Sequence, residues 1–206
     1  MPRPLRDQSG GFRHVTSRGN RRQAIFEDDD DRERFLQLLD RVRCAFEWRV
    51  FAWCLMTNHF HLVLRVPEKT ISHGMQVLCG DYAQEFNWRH GFTGHLFQGR
   101  FHAEAVADER HLIESIRYVD LNAERAGLEP WRWSSYWAHV AVAAPRAFHD
   151  TTWVRGFGAN SGAAAVAYEQ FVDEARRRDV QTRHVRGLTP DVAARDMSSL
   201  GTRLSS

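Results

Sequence analysis

His59-Phe60-His61 is the first segment whose residue types could do chemistry. On a strand, side chains alternate, so the two imidazoles share one face while Phe60 and Leu62 turn to the other. Two neutral imidazoles placed this way can hold one cation. The spacing alone decides little, because 11 histidines in 206 residues give roughly 0.6 such pairs by chance. Two half-buried strand histidines with ordinary hydrogen bonds are the simpler explanation of that pattern by itself.

Tyr118 and Asn122 form the second candidate. They fall in a segment where Leu112, Ile116, Val119 and Ala123 recur at helical spacing and gather in one apolar sector. At about 100° per residue, Tyr118 and Asn122 lie one turn apart and roughly 90 to 130° away from that sector. A core tyrosine belongs inside the stripe. The other tyrosines, Tyr82, Tyr136 and Tyr168, are followed four residues later by Phe86, Val140 and Val172, none of which can ligate a metal. A surface tyrosine beside a helix-end asparagine remains the bland alternative.

The two candidates make sense together. Two imidazole nitrogens and an amide oxygen form a three-donor set that leaves positions for phosphate oxygens and water. Such an open, mixed set suits Mg²⁺ or Mn²⁺ in phosphoryl transfer better than a closed structural zinc site. A phenol with a free pKa near 10 needs a base or a nearby cation to become a nucleophile. Its attack on a DNA phosphodiester would expel a 3′-hydroxyl and leave a 5′-phosphotyrosine. That link keeps the energy of the phosphodiester, so a second strand end can reverse it.

The elements needed to position these residues can be read around them. Residues 12–17 read as a strand, with Arg18-Gly19-Asn20 as a turn. Asp28 to Asp31 suits a helix start, followed by a buried face of Phe35, Leu38, Leu39, Val42 and Phe46. Residues 49–56 and 59–66 read as a hairpin closed at Thr57-Asn58. A helix from Ile71 carries Met75, Leu78, Tyr82 and Phe86 and stops at Gly91. Residues 96–106 read as a fourth strand. Asp108 caps a helix to about Arg125, closed by Gly127 and Pro130.

This order predicts an α+β, ferredoxin-like split βαβ arrangement. An antiparallel sheet carries two helices on one face, its other face is free for a ligand, and a C-terminal tyrosine-bearing helix is added. The expected organisation is a catalytic domain over 10–140, a helical extension over 141–179 and a polar, partly disordered tail over 180–206. Within the extension, an Ala-rich helix is expected from Gly162 to about Arg178.

Composition sets outer bounds. The chain is 43% hydrophobic and 26% charged, as in ordinary globular proteins. No stretch approaches a membrane span, and residues 1–6 lack the apolar core of a signal peptide. Cys44, Cys54 and Cys79 form no CxxC, which speaks against a disulfide framework or zinc ribbon. A reduced, cytoplasmic protein is expected. The net charge of +2 is modest. Of the basic residues only Lys69 is lysine; codon usage explains the general excess of arginine, but the grouping of Arg13, Arg18, Arg21 and Arg22 points to a phosphate-binding edge.

Five segments resemble, in the same order, the REP-associated tyrosine transposases of the HUH (His-hydrophobic-His) single-strand DNA nuclease superfamily. They are His14-Val15-Thr16-Ser17-Arg18-Gly19-Asn20, Met56-Thr57-Asn58-His59-Phe60-His61-Leu62-Val63, Leu96-Phe97-Gln98-Gly99-Arg100-Phe101, Tyr118-Val119-Asp120-Leu121-Asn122 followed by Arg125-Ala126-Gly127-Leu128, and Trp133-Ser134-Ser135-Tyr136. The resemblance covers about residues 10–140. It implies that Tyr118 is the nucleophile and that His59, His61 and Asn122 hold Mg²⁺ or Mn²⁺. It also implies single-stranded, hairpin-forming DNA as substrate; the grouped Arg13, Arg18, Arg21 and Arg22, together with Arg100, are the expected DNA contacts. A homodimer and a monomer are equally compatible. One departure stands out: the family has proline after the asparagine, whereas Ala123, a good helix former, would let the helix run on. Two other readings compete. A non-catalytic ferredoxin-like module would grip single strands through aromatics such as Phe12, Phe97 and Phe101, and a phosphate-ester hydrolase would use water in place of Tyr118.

Overall fold

A computed structural model of the chain describes residues 9–185, with side chains described to residue 179. Strand β1 (Gly11–Arg18) lies at the centre, antiparallel to β3 (His59–Val66) on one side and to β4 (His102–Val106) on the other. Strand β2 (Arg49–Leu55) pairs outside β3, giving the order β2-β3-β1-β4. With α1 (Asp29–Ala45) and α2 (Ile71–His90) in the connections, this is the expected split βαβ sheet.

The helices begin and end for local reasons. Asp28 accepts a hydrogen bond from the Asp31 amide at 3.0 Å, and Asp29, Asp30 and Asp31 meet the positive end of the α1 dipole. Gly91, at φ 67°, closes α2 in the left-handed conformation. Phe35, Leu39, Met75, Leu78 and Tyr82 bury one core against Val15, Phe60, Leu62 and Leu64, the odd-numbered face of β1 and the even-numbered face of β3.

The opposite face is not free. Helix α3 (Glu109–Asp120) lies across β2 and β3 and packs Leu112, Ile116 and Val119 against Ala52, Cys54 and Val63. Beyond the short α5 (Tyr136–His139), helix α6 (Ser161–Val185) adds Tyr168 and Val172 to the same core. Apolar residues on both faces of β2 and β3 demand this cover. Over β1 and β4 the cover is thinner, with His14 and Thr16 half-buried and His102 and Glu104 exposed. A shift in register between Val50 and Ala52 places Phe51 and Ala52 together in this second core.

Three further expectations change. The fourth strand begins at His102, not residue 96. Thr16 faces His102 while the Arg18 carbonyl takes the Gln98 amide, so the partner chain spends four steps (98 to 102) against two (16 to 18), too many for a ladder. The helix after Asp108 breaks at Leu121 and resumes as the short α4 (Asn122–Arg125), despite Ala123. Helix α6 continues past Arg178 to Val185, so the start of the expected tail is helical; the rest of that tail lies outside the described residues. Among the described residues, no helix is long and apolar enough to cross a membrane.

Candidate active site

On β1 and β3 the register sets Thr16 opposite His61 and Arg18 opposite His59. The even-numbered residues of β1 therefore share a face with His59 and His61, and His14 joins them. The His14 and His61 rings stack with centroids 5.2 Å apart, and Nε2 of His14 lies 3.0 Å from Nδ1 of His61. One proton is shared between these nitrogens. When His61 donates it, Nε2 of His61 is a bare lone pair, as in metal-binding histidines held by a second hydrogen bond. Nδ1 of His59 lies 2.7 Å from Oδ1 of Asn58, an acceptor that keeps this proton in place and leaves Nε2 of His59 bare.

Burial, helped by Arg18 and, for His61, by the neighbouring His59 and His14 rings, lowers the pKa of both rings, to about 4 for His59 and about 2 for His61. Both imidazoles are therefore neutral at physiological pH. The Asn122 side chain lies against the His59 ring and opposes this lowering. Among the described residues, no three His, Cys, Asp or Glu side chains converge on a metal position. Asn122, beside the His59 ring, offers an amide oxygen next to the two histidines. Two neutral nitrogens and one amide oxygen fit a divalent cation with open positions.

Tyr118 stands over this cluster. Its ring meets His14 edge-on at 5.6 Å and His61 at 5.9 Å between centroids, yet 45% of the residue is exposed. On its other side, the Arg125 guanidinium lies 5.1 Å from the ring centroid while Nε of Arg125 donates to Asp179 of α6 at 2.7 Å. Tyr118 is thus an exposed phenol whose ring meets two imidazoles and a guanidinium.

The sequence model of the family described as Transposase IS200 like matches residues 10–122. The chain belongs to this family. Among solved structures, a REP-associated tyrosine transposase bound to a REP hairpin shares the fold, with 19% identity and a TM-score of 0.57 over 74% of this chain and 91% of the other. A transposase-like protein from Deinococcus radiodurans R1 matches more weakly, at 15% identity and TM-score 0.40 over 53% of this chain and 89% of the other. No curated protein sequence matches.

The arginines of this transposase separate into two groups. Arg18 is exposed beside His59, and Arg21 and Arg22 are exposed in the adjoining turn with φ of 53° and 62°. Gly19 makes that turn possible, since a Cβ there would sit 2.1 Å from the Gln23 carbonyl oxygen. Arg100 is exposed in the segment that the Arg18 carbonyl ties down through Gln98. Arg13 belongs elsewhere. It is 5% exposed, lies on the odd-numbered face of β1, and donates to Ser9 and to the Phe12 carbonyl. The aromatics considered for base stacking are also engaged: Phe12 packs edge-on against Phe51, Phe97 against Phe60, and Phe101 against the α1–α2 core.

Sequence reasoning missed His14 and Asn58 as partners of the two histidines. His14 sits two residues from Thr16, the partner of His61, so strand pairing was the only signal for it. Asn58 adjoins His59 and was read as a turn residue alone.

Proposed function

We propose that this transposase nicks and rejoins single-stranded DNA, with Tyr118 as nucleophile and a 5′-phosphotyrosine intermediate. The observation that carries the reading is the placement of an exposed Tyr118 over the neutral His59–His61 pair, with Asn122 on the His59 ring. Oη of Tyr118 forms a bond to phosphorus as the bond to the 3′-oxygen breaks; the phenol proton leaves to solvent and the departing oxygen takes one up. His59, His61 and Asn122 would hold a Mg²⁺ or Mn²⁺, which would supply charge stabilisation to the phosphate. The chain's own residues hold the rest. Arg18, Arg21, Arg22 and Arg100 line the approach and bind the phosphate backbone, and Arg125 fixes the Tyr118 ring from behind.

Hairpin-forming repeats are the proposed substrate, supported by the shared fold with the REP-hairpin complex. Residues 10–140 form the catalytic unit in this reading and 141–179 an extension that packs on it. The test incubates end-labelled hairpin oligonucleotides with single-stranded flanks and the protein in Mn²⁺, followed by a denaturing gel. A protein-linked DNA band that disappears in excess EDTA is expected. Nicking without any adduct would instead assign the attack to water.

A further inference from the structure

Tyr118 and Asn122 sit on opposite sides of a break. Helix α3 ends at Asp120 and α4 starts at Asn122, with Leu121 between them at φ −84°, ψ −1°. A continuous helix would fix their relation by its repeat alone. Here the grip on the junction must do part of that work. The Asp120 side chain, fully buried, supplies it.

Its carboxylate accepts three hydrogen bonds from outside its own helix. Oδ1 takes the Ser135 hydroxyl at 3.0 Å; Oδ2 takes Nδ1–H of His139 at 2.7 Å and the Tyr168 hydroxyl at 2.6 Å. Each donor is anchored in turn. Ser135 Oγ accepts the Trp53 amide of β2 at 3.0 Å, one residue from Cys54, the strand partner of His61. Nε2 of His139 lies 2.9 Å from Nε2 of His149, which in turn lies 3.1 Å from the Phe51 carbonyl at the register shift of β2. Tyr168 lies in α6 with no exposure, and burial together with the Asp120 charge raises its pKa well above the ordinary value, so it remains a donor.

We propose that Asp120 and its three donors form a positioning hub, through which β2 and α6 set the aim of Tyr118 and Asn122 at the histidine pair. The C-terminal extension thereby becomes part of the nicking apparatus without touching substrate. The proposal rests on Tyr118 and Asn122 being the reacting pair. A buried carboxylate has few other ways to be satisfied, so loss of one donor leaves it free to turn and the junction free to move.

Tyr168→Phe removes one hydroxyl with little change in shape, and Val172→Ala serves as a control that loosens α6 packing without touching Asp120. Single-turnover nicking at saturating hairpin DNA and Mn²⁺ should fall by about tenfold or more in Tyr168→Phe, with DNA affinity unchanged and a higher Mn²⁺ requirement, as for losses of outer-shell support. Val172→Ala should keep the wild-type rate even where its melting temperature falls as far. Hydrogen exchange of the free protein should speed at amides 119–125 in Tyr168→Phe alone. Equal rates for Tyr168→Phe and wild type, or exchange at 119–125 that is unchanged, would overturn the hub. A wild-type protein that forms no adduct would defeat the nucleophile reading instead, and the exchange comparison would still show whether Asp120 holds the junction.

Discussion

Tyr118 differs from the other tyrosines in what surrounds its hydroxyl-bearing ring. Tyr82 and Tyr168 are buried, with their hydroxyls given to the Ile25 carbonyl and to Asp120, and Tyr136 is largely buried. Tyr118→Phe should leave stability within about 0.5 kcal/mol, because the residue is exposed and makes no buried bond. It should keep DNA binding and abolish the covalent adduct, as read by gel shift and denaturing gel on the same hairpin. An adduct mapped to Tyr82, Tyr136 or Tyr168 would reject the assignment. His14→Phe keeps an aromatic ring but removes the nitrogen that holds Nδ1 of His61. Mn²⁺ affinity measured by titration should fall about 10- to 100-fold, and an unchanged affinity would show that His61 needs no partner to present Nε2. The residues of this site were legible in proportion to how local their signal is. His59 with His61, and Tyr118 with Asn122, are spaced within single elements. His14 belongs to the same cluster, but its position depends on strand pairing across 47 residues of chain.

At the scale of elements, helix starts and the hairpin were readable because caps and apolar spacing are short-range. Asp28 and Asp108 both cap as expected, the latter accepting from the His111 amide at 2.7 Å. Two features were not. Residues 96–101 alternate like a strand, but they meet β1 only in an isolated bridge between Gly19 and Phe97, because the extra residues between Gln98 and His102 interrupt the ladder. Helix propensity at Ala123 favours continuity, yet the buried bonds of Asp120 and the burial of Leu121 and Ala123 in the second core impose the break. Tertiary contacts outweigh a propensity difference worth less than about 1 kcal/mol. The 19–22 turn carries an expectation of its own. Arg21 and Arg22 are exposed in a positive-φ turn, and their side chains make no hydrogen bond or ion pair among the described residues. Changing both to Ala should lower the slope of log affinity against log salt by about 1.4, the single-strand value for two phosphate contacts. Stability should hardly change. A slope equal to that of the wild type would remove this turn from the DNA path.

The whole molecule is a sheet between two cores, and the second core is where sequence reading fell shortest. An open sheet face was expected for DNA, but α3 and α6 close much of it, so the substrate is left with the β1–β4 side and the Arg18–Arg22 rim. This arrangement buries several polar groups, and one of them gives stability a pH dependence. His149 is 7% exposed and has its pKa lowered to about 3, first by burial and then by the adjacent His139; the Phe51 carbonyl, Asp120 and Asp150 act in the opposite direction. In the unfolded chain its pKa returns to about 6.5. The folded state therefore favours the neutral ring, and unfolding takes up a proton at any pH between those values. Its contribution is fully present above about pH 6.5 and is lost as pH falls toward 3, by up to about 1.4 kcal/mol per pH unit. His149→Phe should lower stability at pH 7.5, since the bond to the Phe51 carbonyl is gone, yet show a shallower decline toward pH 4.5. Urea midpoints across that range, taken in EDTA to keep metal out of the comparison, give both slopes. Parallel declines for the two proteins would mean that His149 is protonated as easily in the fold as outside it, and that the second core tolerates a charge beside the Phe51 carbonyl.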